Sequence, residues 1–223
     1  MNLEIQKKKK NNLVNFKIKM SYDKKHIPIL DPEEWYNKAY KEYAKYHKFL
    51  ENFDKNLWQR FLPRDLKHKI VVDLGCGDGR LANFFLSKWV KEYVCLDISE
   101  NMLKQAKNSV KKIKHDLNKP FPLSDSYADV VLALFVLLHI ENLHNFFSEV
   151  YRILKDDGVF ILFHHIERKN HIYWKWWNKF KINAFKWHYS DIEKLLDYYF
   201  FKYKVVDVEE NWVIIWKYFI CKK

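Results

Sequence analysis

The stretch Ile70 to Leu81, I-V-V-D-L-G-C-G-D-G-R-L, constrains the fold of this chain more than any other. Its opening β-branched run, Ile70 to Val72, suits a buried strand of a parallel sheet. The run breaks directly into Gly75, Gly77 and Gly79, three of the four glycines in 223 residues. Glycine serves where φ must be positive or where backbone must come close to another group, so a chain this poor in glycine clusters it for a backbone reason. Beyond Arg80, Leu81, Phe84, Phe85 and Val90 recur roughly on one helical face. Strand, glycine-rich turn and helix in succession specify an open α/β sheet with a nucleotide-type cofactor site at the turn.

The rest of the chain continues the alternation. Tyr93 to Asp97 reads as a second strand with an acid at its tip, and Ser99 caps the helix that follows. Val110 to His115 is a weaker third strand, followed by Asp116 and Leu117. Ala128 to Leu134 is almost wholly apolar and reads as a central fourth strand. Asn142 to Lys155 is an amphipathic helix, with Leu143, Phe146, Phe147, Val150, Ile153 and Leu154 on one face, and Gly158 is its expected stop. Val159 to Phe163, the fifth strand, runs into His164 and His165. A last helix starts at Tyr189. Tyr203 to Val208 and Trp212 to Cys221, joined by a short polar link, read as an antiparallel hairpin at the sheet edge.

The spacing Asp73-x-Gly75-x-Gly77-x-Gly79 departs from the G-x-G-x-x-G of dinucleotide-binding folds. It resembles the first motif of the class I (Rossmann-like) S-adenosylmethionine-dependent methyltransferases, in particular the type 11, quinone-biosynthesis group, and the resemblance covers about residues 65–223. It implies an α/β fold, a seven-stranded mostly parallel sheet with helices on both faces and a C-terminal antiparallel hairpin. It implies that Gly75, Cys76, Gly77 and Gly79 wrap the methionine end of S-adenosyl-L-methionine, whose carboxylate meets N–H groups at the helix N-terminus. Asp73 would bond the ammonium directly or through water. Asp97, with Ile98 beside it, stands where a carboxylate accepts ribose hydroxyls. The resemblance gives Asp116 and Leu117 the adenine edge, which separates this cofactor from a nicotinamide one. His139, beyond the fourth strand, and His164, at the end of the fifth, are candidate bases for an acceptor that must lose a proton. A sulfonium is already a good leaving group, so no metal is expected.

Length and composition fit one domain with an extension. Residues 1–25 carry eight Lys against Glu4 and Asp23 and read as a flexible basic tail. Residues 26–64 read as a helical cover. Asp31-Pro32-Glu33-Glu34 starts a helix to about residue 50, with Trp35, Tyr36, Ala39, Tyr40, Tyr43 and Tyr46 as a broad aromatic face, and a second helix spans about 54–62. Residues 65–223 form the methyltransferase domain, interrupted at about 165–189 by an aromatic stretch. There Tyr173, Trp177, Phe180 and Ala184 share one helical face, read as an amphipathic lid over the substrate pocket. The expected acceptor is a small molecule, including a lipid-like one. The net charge of +12 and the Trp/Lys stretch keep open an RNA (tRNA) acceptor and peripheral membrane contact. A non-catalytic binding protein on the same fold is a further alternative. The three Cys sit in or beside apolar runs without C-x-x-C spacing, as expected of reduced thiols in a cytoplasmic protein. No apolar run reaches the roughly 18 residues that would cross a bilayer, and the N-terminal charge lacks the apolar core of a signal peptide.

Overall fold

The computed structural model describes residues 7–10, 13–16, 29–43, 61–165, 172–174, 179–182, 184–200, 202–210 and 213–223. Seven strands form the central sheet: β1 (Ile70–Leu74), β2 (Glu92–Asp97), β3 (Lys111–Lys114), β4 (Ala128–Leu134), β5 (Leu154–His165), β6 (Lys202–Glu210) and β7 (Val213–Lys222). Their spatial order is β6-β7-β5-β4-β1-β2-β3. The first five are parallel, and β7 runs antiparallel between β5 and β6. This is the expected fold class. The order reverses between β1 and β4, and a ligand crevice opens at such a switch point beyond the strand C-termini.

Both faces of the sheet are covered. The alternation of side chains along each strand sends Val72, Leu74, Val94, Leu96, Phe160 and Leu162 to one face. There they pack against α4 (Leu143–Ile153) and α5 (Tyr189–Tyr199). The next residues in register, Val71, Tyr93, Cys95, Ile161 and Phe163, face α2 (Ala82–Leu86) and α3 (Glu100–Gln105). In α4 the buried positions are Leu143, Phe146, Phe147, Val150 and Ile153, the stripe read from sequence. Asn142 caps it by accepting the Asn145 N–H at 3.0 Å.

Helix α1 (Pro32–Tyr43) begins as its sequence predicts, with the Asp31 carboxylate accepting the Glu34 N–H at 2.8 Å. Its continuation to residue 50 and the second helix lie outside the described residues, apart from 61 and 62. The edge strand β3 has three lysines in four residues, and two of them meet acids. Lys114 pairs with Glu33 of α1 at 2.6 Å, and Lys111 lies 3.6 Å from Glu92 of β2.

Three sequence expectations change. Helix α4 stops at Ile153, and Leu154 already pairs with Ala128 as the start of β5. Gly158 is therefore inside an irregular strand rather than a helix stop, and the left-handed residue there is Asp157, φ 63°. The aromatic stretch is not one helix. Ile172–Trp174 and Lys179–Ile182 pair antiparallel, and Lys179–Ile182 also pairs parallel with Ile29–Leu30, giving a small three-stranded sheet. Bulky aromatic and β-branched side chains fit a pleated surface as readily as a helical face, and pairing with Ile29–Leu30 decides between them. In the basic N-terminal stretch, Lys7–Lys10 and Leu13–Phe16 pair antiparallel where no regular structure is expected.

Gly79 packs α3 against the sheet. Its φ is +68°, and a Cβ placed there would lie 3.0 Å from the Ala106 Cβ and 3.5 Å from the Cys95 Sγ. Left-handed strain of about 1–2 kcal/mol and overpacking of about 1–3 kcal/mol would both fall on a larger residue. Gly79→Val is expected to lower the unfolding free energy by about 2–4 kcal/mol, measured by urea denaturation.

Candidate active site

A cavity of about 430 Å³ opens at the C-terminal ends of β1, β2, β3 and β4. That size is ordinary for a small-molecule site, about 300–1,000 Å³. The strand ends contribute polar groups: Asp73 in β1, Asp97 on β2, Asp116 just past β3, and His139 in the short 3-10 turn Leu137–His139 beyond β4. Of the residues expected from sequence, Asp73, Gly75, Cys76, Gly77, Asp97, Ile98, Asp116, Leu117 and His139 line this one cavity.

Two do not. Gly79 faces the α3 packing contact described above. His164 occupies an inward position on the α4–α5 face of β5, where it is buried. Its Nε2 lies 3.0 Å from the Trp187 carbonyl oxygen, so that nitrogen carries a proton and donates, and its ring meets Tyr189 edge-on. The alternation of the strand, rather than proximity to its tip, decides the direction of this side chain. His165 is a register partner of Trp216 through its backbone.

The glycine loop is held by β2. The Gly75 and Cys76 N–H groups donate to the Leu96 carbonyl at 2.8 and 3.2 Å, and Gly75 has φ +72°. Gly77, φ +58°, donates its N–H to Asp97 Oδ2 at 2.8 Å. Asp97 Oδ1 accepts the Ser99 N–H, also at 2.8 Å. Burial is the main influence on this carboxyl and raises its pKa to about 6, against the lowering effect of the N–H bonds. Asp73 is deeper. Burial pushes its pKa to about 7, although the Tyr93 hydroxyl donates to it and opposes the shift. Asp116 Oδ1 accepts the backbone and side-chain N–H groups of Asn118 at 3.0 Å. Asn118 in turn donates to the His139 carbonyl at 3.1 Å and accepts the Glu141 N–H at 2.7 Å, which ties the β3 acid to the histidine loop.

Several lining residues carried no sequence signal of their own. Tyr36 and Tyr43 come from α1, where they stood among many aromatic residues. Tyr36 Oη lies 2.9 Å from His139 Nε2. Arg80 and Phe185 also line the cavity, and Phe185 is fixed by its N–H bond to the Leu138 carbonyl at 2.8 Å. Phe135 directly follows β4 with φ 64°, a conformation costly for a bulky side chain. Burial raises the pKa of the Tyr43 hydroxyl, partly opposed by the nearby Arg80 guanidinium, whose own pKa burial lowers.

The donor set fits S-adenosylmethionine. Three carboxylates on adjacent strand tips suit a ligand with an ammonium, a sulfonium, ribose hydroxyls and an adenine amino group. A Cβ at Gly75 would come within 2.6 Å of the Val136 Cγ2, so only glycine lets the loop lie this close to the β4 side. Among the described residues, no group of acidic, His or Cys side chains could hold a metal ion, and no helix is long and apolar enough to cross a membrane.

The family model described as a methyltransferase domain matches residues 72–162. A demethylmenaquinone methyltransferase of Leptospira interrogans is 32% identical over 146 residues, which cover 57% of each chain. An uncharacterised protein of Methanocaldococcus jannaschii is 34% identical over 148 residues, covering 63% of this chain and 54% of its own. The chain thus spans little more than half the length of these curated relatives. A solved S-adenosylmethionine-dependent methyltransferase of Thermotoga maritima superposes with a TM-score of 0.67 at 20% identity, over 86% of this chain and 99% of that one, a likeness of fold.

The raised Asp73 pKa has a definite sign. A carboxyl that titrates near 7 when folded and near 3.8 when unfolded binds its proton more tightly in the native state. It costs stability progressively as pH rises through that window. Asp73→Asn should therefore melt above the unsubstituted protein at pH 8, with the gap closing towards pH 4, as followed by thermal denaturation across that range.

Proposed function

We propose that the chain is a class I S-adenosylmethionine-dependent methyltransferase that transfers a methyl group to a small-molecule or lipid-like acceptor, a reading supported by the methyltransferase-domain match over residues 72–162. The observation that carries this reading is the convergence of Asp73, Asp97 and Asp116, from three neighbouring strand tips, on one cavity that His139 also lines. The relative named as a demethylmenaquinone methyltransferase supports a small acceptor.

Bound S-adenosylmethionine would supply an electrophilic sulfonium methyl. The loop from Gly75 to Gly77 and Asp73 hold the methionine end. Asp97 uses both oxygens on backbone N–H groups, and each oxygen retains a lone pair for a ribose hydroxyl. Asp116 and the Leu117 backbone take the adenine edge. His139 accepts the proton that the acceptor loses, a contribution of about 10²–10⁴-fold. Tyr43, Phe135 and Phe185 exclude water from the reacting end, and a positioned acceptor gains about 7–11 kcal/mol from alignment alone.

A side chain at Gly77 would have to adopt its left-handed φ and would press on the Met102 methyl, 3.2 Å from the added Cβ. Gly77→Leu is expected to abolish binding of S-adenosylhomocysteine in a calorimetric titration, and unchanged affinity would defeat the site assignment. Incubating the protein with cell extract and labelled methyl donor identifies the acceptor. Label entering RNA rather than small molecules or lipid would replace the acceptor class. On the acceptor so found, His139→Ala should lower turnover about 10²–10⁴-fold, with cofactor affinity held within about twofold.

A further inference from the structure

Of two adjacent residues of α1, Tyr36 reaches the cavity wall and Asn37 reaches the α3 N-terminus behind it. Tyr36 meets His139 through the 2.9 Å contact, with the rings edge-to-face at a centroid distance of 5.4 Å. Asn37 is one position on, about 100° round the helix. Its Oδ1 accepts the Ser99 hydroxyl at 2.7 Å and the Asn101 N–H at 3.1 Å, and Asn101 Nδ2 donates to the Asn37 carbonyl at 3.0 Å. Ser99 is fully buried, caps α3 by accepting the Met102 N–H, and donates its own N–H to Asp97. Asp97 holds Gly77 with its other oxygen. A continuous set of hydrogen bonds therefore runs from the glycine loop through Asp97 and Ser99 to Asn37. The set ends at Asn37, and its covalent neighbour Tyr36 carries the separate contact to His139.

We propose that Tyr36 is a positioning residue for His139 and that Asn37 latches it in place, so that the acceptor-side base is set only while the ribose-side segment holds its cofactor-binding shape. The proposal rests on the methyl-transfer reading above. The Tyr36 hydroxyl engages the imidazole at Nε2 and so bears on the ring's rotation and on its proton placement. Cofactor and latch act on the same Asp97–Ser99 segment, so each must strengthen the other by the same factor.

The test uses the 223-residue chain with S-adenosylhomocysteine as the probe. Affinity is read by calorimetry, and the His139 ring by its NMR resonances over a pH series. Asn37→Ala should weaken the probe at least fivefold and move the His139 resonances in the same direction as Tyr36→Phe. Tyr36→Phe should shift the His139 titration by half a pH unit or more while leaving probe affinity within twofold. Asn37→Asp keeps the oxygen that Ser99 and Asn101 bond, and should restore both readouts. Unchanged affinity or unchanged ring resonances in Asn37→Ala overturns the coupling and leaves the methyltransferase reading standing. Failure of the unsubstituted chain to bind the probe overturns both.

Discussion

A single carboxylate holds the cofactor end of this protein together. Asp97 ends β2, and its two oxygens bridge two chain segments that otherwise turn away from each other: the glycine loop at Gly77 and the start of α3 at Ser99. Each bond joins a buried acid to a backbone N–H, the kind of charge-assisted contact that is stronger than a neutral one. The same group is then asked to receive ribose hydroxyls. Its position is fixed before any ligand arrives, which is the sense in which the site is preorganised. Burial works against ionisation of both Asp97 and Asp73, so a cationic ligand has two acids to stabilise in their charged forms.

Much of this was legible in the sequence, and for identifiable reasons. Buried parallel strands announce themselves as short apolar runs, and Ala128–Leu134 and Ile70–Leu74 were readable on that ground. The glycine cluster marked the loop because left-handed backbone at 75, 77 and 79 admits little else. Asp97 followed from where the apolar run of β2 ended, Asp73 from the glycine motif, and Asp116 from the family resemblance. What stayed hidden depended on partners distant in the chain. His164 sits near a strand tip, yet the alternation of β5 turns it towards α5 and Trp187. The aromatic stretch after β5 has a helical period but pairs instead with Ile29–Leu30, about 150 residues earlier in the chain. Tyr36 could be seen to be on a broad aromatic face, but not that one of its neighbours would be His139.

Helix α1 shows how an element outside the sheet comes to matter for chemistry. Its core is small, with Leu30, Trp35 and Ile182 buried together. Its polar contacts are specific: Asn37 with the α3 N-terminus, Glu33 with Lys114, Tyr36 with His139. Among the described residues, these directional polar contacts tie α1 to the α3 N-terminus, to β3 and to the histidine loop at once. Phe185, three residues beyond the small sheet, lines the same cavity as Tyr36 and Tyr43 of α1.

The charge on the outer rim bears on which partners suit the protein. Among the described residues strand β3 is an edge of the sheet, the place where sheets recruit stray strands, and lysines on an edge are a standard defence against such growth. Two of those lysines already face Glu92 and Glu33. Both acids are already counted in the net charge of +12, so these pairs anchor α1 and finish the border without reducing the sum that a polyanion would meet.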